Sequence, residues 1–154
     1  MTAEPLDAGE LTAWLRAIRS TLVDGADADV PCDGCTACCR SSQFLHIAPD
    51  EIDALRHVPP RLRAPAPGLP DGHVVVGFDE AGRCPMLTDS GCSIYADRPR
   101  TCRTYDCRVF AATEREPDRP LVRDRVRRWR FDRPVPDDEI VELLSLLRAT
   151  SSAC

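Results

Sequence analysis

The chain has 154 residues, enough for one domain with a modest core, and aromatic residues make up only 5% of it, so that core should be aliphatic. All 20 basic residues are arginine, which removes a Schiff-base lysine, a P-loop lysine and any catalytic lysine amine from the candidate chemistry. The net charge of −5 argues against general nucleic-acid affinity, and no apolar run approaches the length of a membrane span.

Met1-Thr2-Ala3-Glu4-Pro5 shows no basic segment followed by an apolar one, so no secretory leader is expected. Leu11, Trp14, Leu15, Ile18 and Leu22 recur at helical spacing, which predicts an amphipathic helix over 6–23 closed by Asp24-Gly25. Phe44–Ile47 reads as a short strand. Pro49, Asp50 and Glu51 then open a helix that turns Ile52 and Leu55 inward and stops before Pro59-Pro60. Residues 59–72, with five prolines and two glycines, read as a loop or linker. His73–Phe78 predicts a strand, and Gly82, Cys84-Pro85 and Asp89-Ser90-Gly91 mark a turn-rich stretch. Pro99 opens a predicted helix over 99–112 that carries Cys102 and Cys107. Between Arg119 and Arg133, seven arginines surround Val122, Val126 and Trp129 at helical spacing, predicting a solvated amphipathic helix. Ile140, Val141, Leu143, Leu144 and Leu147 form the apolar side of a C-terminal helix over 137–150.

Eight of the nine cysteines fall in two groups, Cys32-x2-Cys35-x2-Cys38-Cys39 and Cys84-x7-Cys92-x9-Cys102-x4-Cys107. Four cysteines within eight residues are too dense for ordinary core packing, and thiolates are soft ligands that select zinc, copper(I) or iron–sulfur clusters. The two-residue spacing lets one turn wrap a metal. In a reducing, cytoplasmic setting such a group reads as metal-binding rather than as a disulfide framework. Eight thiolates divide into two sets of four, or into one centre with cysteines to spare. Neighbouring Cys38 and Cys39 diverge on regular structure and are assigned to different centres or to different irons of one centre. Cys-x2-Cys-x2-Cys with a remote Cys84-Pro85 favours an iron–sulfur cluster such as 4Fe-4S, whereas Cys32-x2-Cys35 is equally a zinc knuckle. Arg40, Arg83, Arg100, Arg103 and Arg108 lie next to cysteines and are expected to offset the thiolate charge. Of the three histidines, His46 is an alternative ligand, His57 a helix C-cap and His73 a surface residue.

The stretches Cys32-Asp-Gly-Cys35-Thr-Ala-Cys38-Cys39-Arg40, Gly82-Arg83-Cys84-Pro85-Met-Leu87, Gly91-Cys92-Ser93-Ile94-Tyr95 and Arg98-Pro99-x2-Cys102-Arg103-x-Tyr105 resemble the YkgJ-type cysteine-cluster family over roughly residues 30–110. The resemblance implies zinc or iron chelation at the matched cysteines. Flagellin lysine methylases carry a related cysteine-rich region, but this chain is much shorter than those enzymes.

The expected architecture is one small α+β domain over 1–154, helix-rich with short strands and irregular around a cysteine-ligated metal centre. The expected ligands are Cys32, Cys35, Cys38, Cys39, Cys84, Cys92, Cys102 and Cys107, holding zinc or iron, with the metal ion as the partner. The alternative is an iron–sulfur enzyme or electron carrier, with methyl transfer among its chemistries. Cys154 follows the polar tail Thr150-Ser151-Ser152-Ala153, where ordering a ligand costs conformational entropy. Cys154→Ser should therefore leave metal content unchanged on elemental analysis, whereas Cys35→Ser or Cys102→Ser should lower it sharply; equal losses would bring the tail into the ligand set.

Overall fold

The computed structural model describes residues 3–32, 34–133 and 138–150, with Thr150 described by its backbone alone. In chain order the elements are β1 (Leu6–Glu10), α1 (Leu11–Asp24), β2 (Leu45–Ile47), α2 (Ile52–His57), β3 (Arg63–Pro65), β4 (Val74–Val76) and β5 (Leu87–Thr88). They continue with β6 (Gly91–Cys92), α3 (Arg100–Arg103), α4 (Arg108–Thr113), α5 (Pro120–Val126), β7 (Trp129–Asp132) and α6 (Asp138–Thr150). Single 3-10 turns occupy Cys38–Arg40, Pro60–Leu62 and Tyr95–Asp97. The fold is α+β, helix-rich with short strands, as expected. Among the described residues no helix is long and apolar enough to cross a membrane.

The elements group into two compact units, a terminal unit (Met1–Ala28 with Asp106–Cys154) and a cysteine unit (Asp29–Tyr105). In the terminal unit, α1 begins later than its periodicity predicts. Leu6–Glu10 is a strand paired in parallel with β7, Leu6 opposite Trp129 and Glu10 opposite Asp132. That partner is remote in sequence, so no local pattern announces it. Glu10 ends the strand and caps the helix, its carboxylate accepting the N–H groups of Thr12 (2.9 Å) and Ala13 (2.7 Å). Leu11, Trp14, Leu15 and Ile18 are buried as expected, but Leu22 is 61% exposed and Thr21 takes the inward position. Gly25, at φ 67°, closes the helix in the left-handed conformation that glycine adopts without strain.

The helix expected over 99–112 is two short helices, because Asp106 interrupts it. Its Oδ1 accepts the backbone N–H of Arg108 at 2.9 Å, a local bond that competes with helix continuation. The same carboxylate is gripped by the Arg108 guanidinium (Nη2–Oδ2 2.8 Å) and takes the Trp14 indole N–H at 2.9 Å. The amphipathic run from Arg119 likewise splits: Val122 and Val126 are buried on α5, whereas Trp129 is buried on β7. On α6, Ile140 and Leu147 are buried against α1, with Leu143 and Leu144 packed partly against the same core. Val141, expected on this side, is 57% exposed. Asp137, the expected helix start, lies outside the described residues.

The cysteine unit is built on a three-stranded antiparallel sheet in the order β2-β4-β3, with Leu45 and Arg63 both opposite Val76. β3 falls inside the stretch expected to be a loop. Pro65 is tolerated there because β3 is an edge strand, where a missing N–H costs no ladder bond. Arg63 also closes α2, donating from Nε to Val58 O at 2.9 Å and from Nη2 to Leu55 O. Ile47, Val58 and Val76 fill the core. Ile52, expected inward, is 61% exposed, and Ala54 is the buried residue of α2. After the loop 77–86, β5 and β6 form a hairpin of two residues per strand.

Asp106→Ala should destabilise the terminal unit by about 3–5 kcal/mol in denaturant unfolding, since it leaves a buried guanidinium and an indole N–H without their acceptor. Adding Arg108→Met should recover a large part of that loss; a double variant no more stable than Asp106→Ala would show that the unpaired charge is not the cause.

Candidate metal centre

The cysteine unit brings both cysteine groups to one place. Cys38 and Cys39, on the 3-10 turn, line the same cavity as Cys84, Cys92 on β6 and Cys102 on α3. Two backbone hydrogen bonds join the two groups: Cys84 N–H donates to Cys39 O at 2.7 Å, and Ser42 N–H to Gly82 O at 2.9 Å. Gly82 sits at φ 75°, and a Cβ there would lie 2.4 Å from Ser42 Oγ, so any other residue must take a left-handed conformation and displace the Ser42 hydroxyl. Cys84, Cys92 and Cys102 pack against the core of Leu45, Ile47, Val76, Met86 and Ile94. Adjacent Cys38 and Cys39, assigned from sequence to different centres or irons, therefore line a single cavity. Its volume of about 40 Å³ holds more than one water-sized atom.

Burial is the first influence on the thiols. Cys39 is pushed up to about 11 by burial, then by Cys84, Cys92, Cys35 and Cys32. Cys102 is pushed up to about 12 by burial, then by Cys39, Cys84 and Cys92, with Arg98 opposing. Cys84 is also raised by burial, although the backbone N–H groups of Met86 and Leu87 pull the other way. Thiolates this crowded need a cation to coexist, and a bound metal supplies one while displacing the protons.

Cys32 and Cys35 sit on a turn closed by Cys35 N–H donating to Cys32 O at 2.8 Å, with Gly34 at φ 74°. They are not among the residues lining the cavity, though both act on Cys39. Cys107 belongs to the terminal unit, where it is buried and its Sγ accepts the Trp129 indole N–H at 3.3 Å. Cys154 lies outside the described residues. None of the eight described cysteines forms a disulfide. Among the described residues no group of three or more His, Cys, Asp or Glu side chains stands close enough to enclose an ion.

The arginines next to cysteines are engaged elsewhere. Arg83 pairs with Asp79 (2.9 Å), Arg100 with Asp50 (3.0 Å) and Arg108 with Asp106, while Arg103 Nε donates to Arg98 O and Arg40 is exposed. The arginine that lines the cavity is Arg98, four residues from the nearest cysteine. Spacing along the chain missed it; its place in the Arg98-Pro99 motif was the available signal. His46 Nε2 and His73 Nδ1 lie 2.9 Å apart with the rings 8° from parallel. His73 is thus half-buried and bonded rather than a surface residue. His57 closes α2 and pairs with Asp97 at 2.8 Å.

Residues 31–120 match the model of the CxxCxxCC family, described as "Putative zinc- or iron-chelating domain". The chain belongs to this family. No curated protein and no solved structure matches it. The cavity suits the metals in that description. Its donors are sulfur, no carboxylate or imidazole is among its lining residues, and the remaining lining is chiefly apolar: Leu45, Met86, Ile94 and Pro99, with Gln43 and Arg98. Four thiolates are the set that zinc and iron–sulfur clusters take.

Gly82→Ala should perturb this site more than Gly68→Ala. The two glycines have nearly the same φ, 75° and 73°, but the space beside Gly68 is open. Gly68→Ala should cost about 1–2 kcal/mol in unfolding free energy, the strain of a left-handed alanine; Gly82→Ala should cost more and lower metal content as well, because the Ser42 hydroxyl must move. Equal stability and metal content in the two variants would contradict the role given to the Ser42–Gly82 contact.

Proposed function

We propose that the cysteine unit is a metal-binding module in which the thiolates of Cys39, Cys84, Cys92 and Cys102 hold zinc or iron, and that the metal serves folding rather than catalysis. The observation that carries this is the convergence of these residues, drawn from a 3-10 turn, a loop, a strand and a helix, on one cavity. Cys38 lines the same cavity and is a fifth donor. Cys32 and Cys35, on the adjoining turn and acting on Cys39, are further donors, so Cys35→Ser is expected to lower metal content with the rest. Cys107, which does not line this cavity, is left out of the proposed set.

Two features support a structural role. The second cysteine group sits on strands of two residues, too short to be stable without an added constraint. The cavity lining has no general base, and catalytic zinc ordinarily combines an open position with histidine or carboxylate ligands. A reducing, cytoplasmic compartment fits this reading, since the ligands must remain free thiols. The second reading is an iron–sulfur cluster in an electron carrier or enzyme, methyl transfer included. The extra thiol of Cys38 beside a four-cysteine set favours it, because a cluster presents several irons.

Anaerobic purification with elemental analysis and a visible spectrum decides between them. Colourless protein with stoichiometric zinc supports the first reading, and sulfide with charge-transfer bands supports the second. Substituting serine at Cys39, Cys84, Cys92 or Cys102 should remove most of the metal, while Cys107→Ser retains it. Free metal at a hundredfold excess over its Kd should add about 2.7 kcal/mol to stability, so chelation should lower the melting temperature. A verified metal-free protein that melts like the loaded one would overturn the structural role.

A further inference from the structure

Arg98 is held in place before any metal arrives. Its Nη1 donates to Tyr95 O at 2.8 Å, and its guanidinium lies 4.2 Å from the Tyr95 ring centroid. Its own carbonyl accepts from Arg103 Nε at 3.2 Å. Pro99, the next residue, is fully buried and precedes α3. The side chain is thus tied at both ends while it lines the cavity alongside Cys102. Among the described residues no carboxylate pairs with it, in contrast to Arg83, Arg100 and Arg108, which are each matched to an aspartate.

A divalent metal with four thiolates carries a net charge of about −2. The cavity is walled on its other sides by apolar groups, so water screens that charge poorly. A guanidinium has five N–H donors, and one of those on Arg98 is spent on Tyr95 O. The remainder suit sulfur, whose hydrogen bonds hold thiolate ligands in orientation and tune their donor strength. Tyr95 itself is 57% exposed, so core packing does not explain a large ring at that position, whereas support of the guanidinium does.

We propose that Arg98 is the built-in counter-charge and sulfur hydrogen-bond donor of the metal centre, and that Tyr95 is the platform positioning it. This rests on the metal binding proposed above. It gives Arg98 a role toward the loaded site that a brace of the Tyr95–Asp97 turn would not have.

The test uses the full chain, with zinc titrated against a competing chelator and cobalt(II) as a spectroscopic probe. Arg98→Gln should weaken zinc affinity by about 10- to 100-fold. It should also move the sulfur-to-cobalt charge-transfer band to lower energy, because sulfur lone pairs rise when they lose N–H donors. Arg98→Lys keeps the charge and should recover most of the affinity. Tyr95→Ala should give a smaller loss in the same direction. Arg98→Gln with wild-type affinity and an unmoved band would overturn the proposal. So would equal losses in Arg98→Gln and Arg98→Lys with an unmoved band, since that pattern belongs to a structural brace. A wild-type chain that takes up neither metal would instead overturn the proposed function itself, and is read from the same titration before any variant is compared.

Discussion

Two backbone hydrogen bonds, Cys84 N–H to Cys39 O and Ser42 N–H to Gly82 O, hold together segments that lie about 45 residues apart in the chain. The geometry of the cysteine cavity depends on them. Regular structure contributes little in this region, where the nearest strands have two residues each and Cys38 and Cys39 sit on a single 3-10 turn. The close approach also fixes residue choice. Gly82 has a positive φ and the Ser42 hydroxyl where a methyl group would go, and Ser42 itself is held at φ 54°, a conformation that costs a non-glycine residue free energy. Strain at Ser42 accompanies the contact that brings the two cysteine groups to one cavity.

Electrostatics then defines what the cavity accepts. Placing several thiols against an aliphatic core raises their proton affinity, first by desolvation and then by mutual repulsion. Without a cation, the thiols keep their protons near neutral pH. A soft metal reverses the balance by supplying concentrated positive charge where the ligands are least well solvated. The single arginine at the cavity works in the same direction with a smaller and fixed charge. Arg83 and Arg100 are instead matched to aspartates on the surface, where exposed ion pairs contribute little to stability.

The terminal unit is organised around a buried ion pair. Its aliphatic core, formed by α1 and α6 with Ala112 of α4, encloses a polar group: Asp106, bonded to both Arg108 and Trp14. That carboxylate breaks the helix that the sequence pattern runs from Pro99 and starts α4 anew. Its bonds to two partners offset the cost of burying it. Cys107 follows directly and is drawn to Trp129, so a cysteine grouped by spacing with Cys102 has its neighbours in another unit.

Local chemistry along the chain was enough to establish the fold class, the α1 core stripe of Leu11, Trp14, Leu15 and Ile18, the strands around Leu45–Ile47 and Val74–Val76, the family and its zinc or iron. These follow from periodicity, turn residues and cysteine spacing, which act over a few residues. Tertiary structure decided the rest. It drew Leu6–Glu10 out of a helix into a strand, because the hydrogen-bonding partner of that segment is more than a hundred residues away. It turned Leu22, Ile52 and Val141 to solvent, since periodicity marks an apolar face without saying how wide the facing element is. It placed Arg98 rather than the cysteine-adjacent arginines at the cavity, because a side chain goes where its backbone and partners aim it, and distance along the chain does not encode that direction.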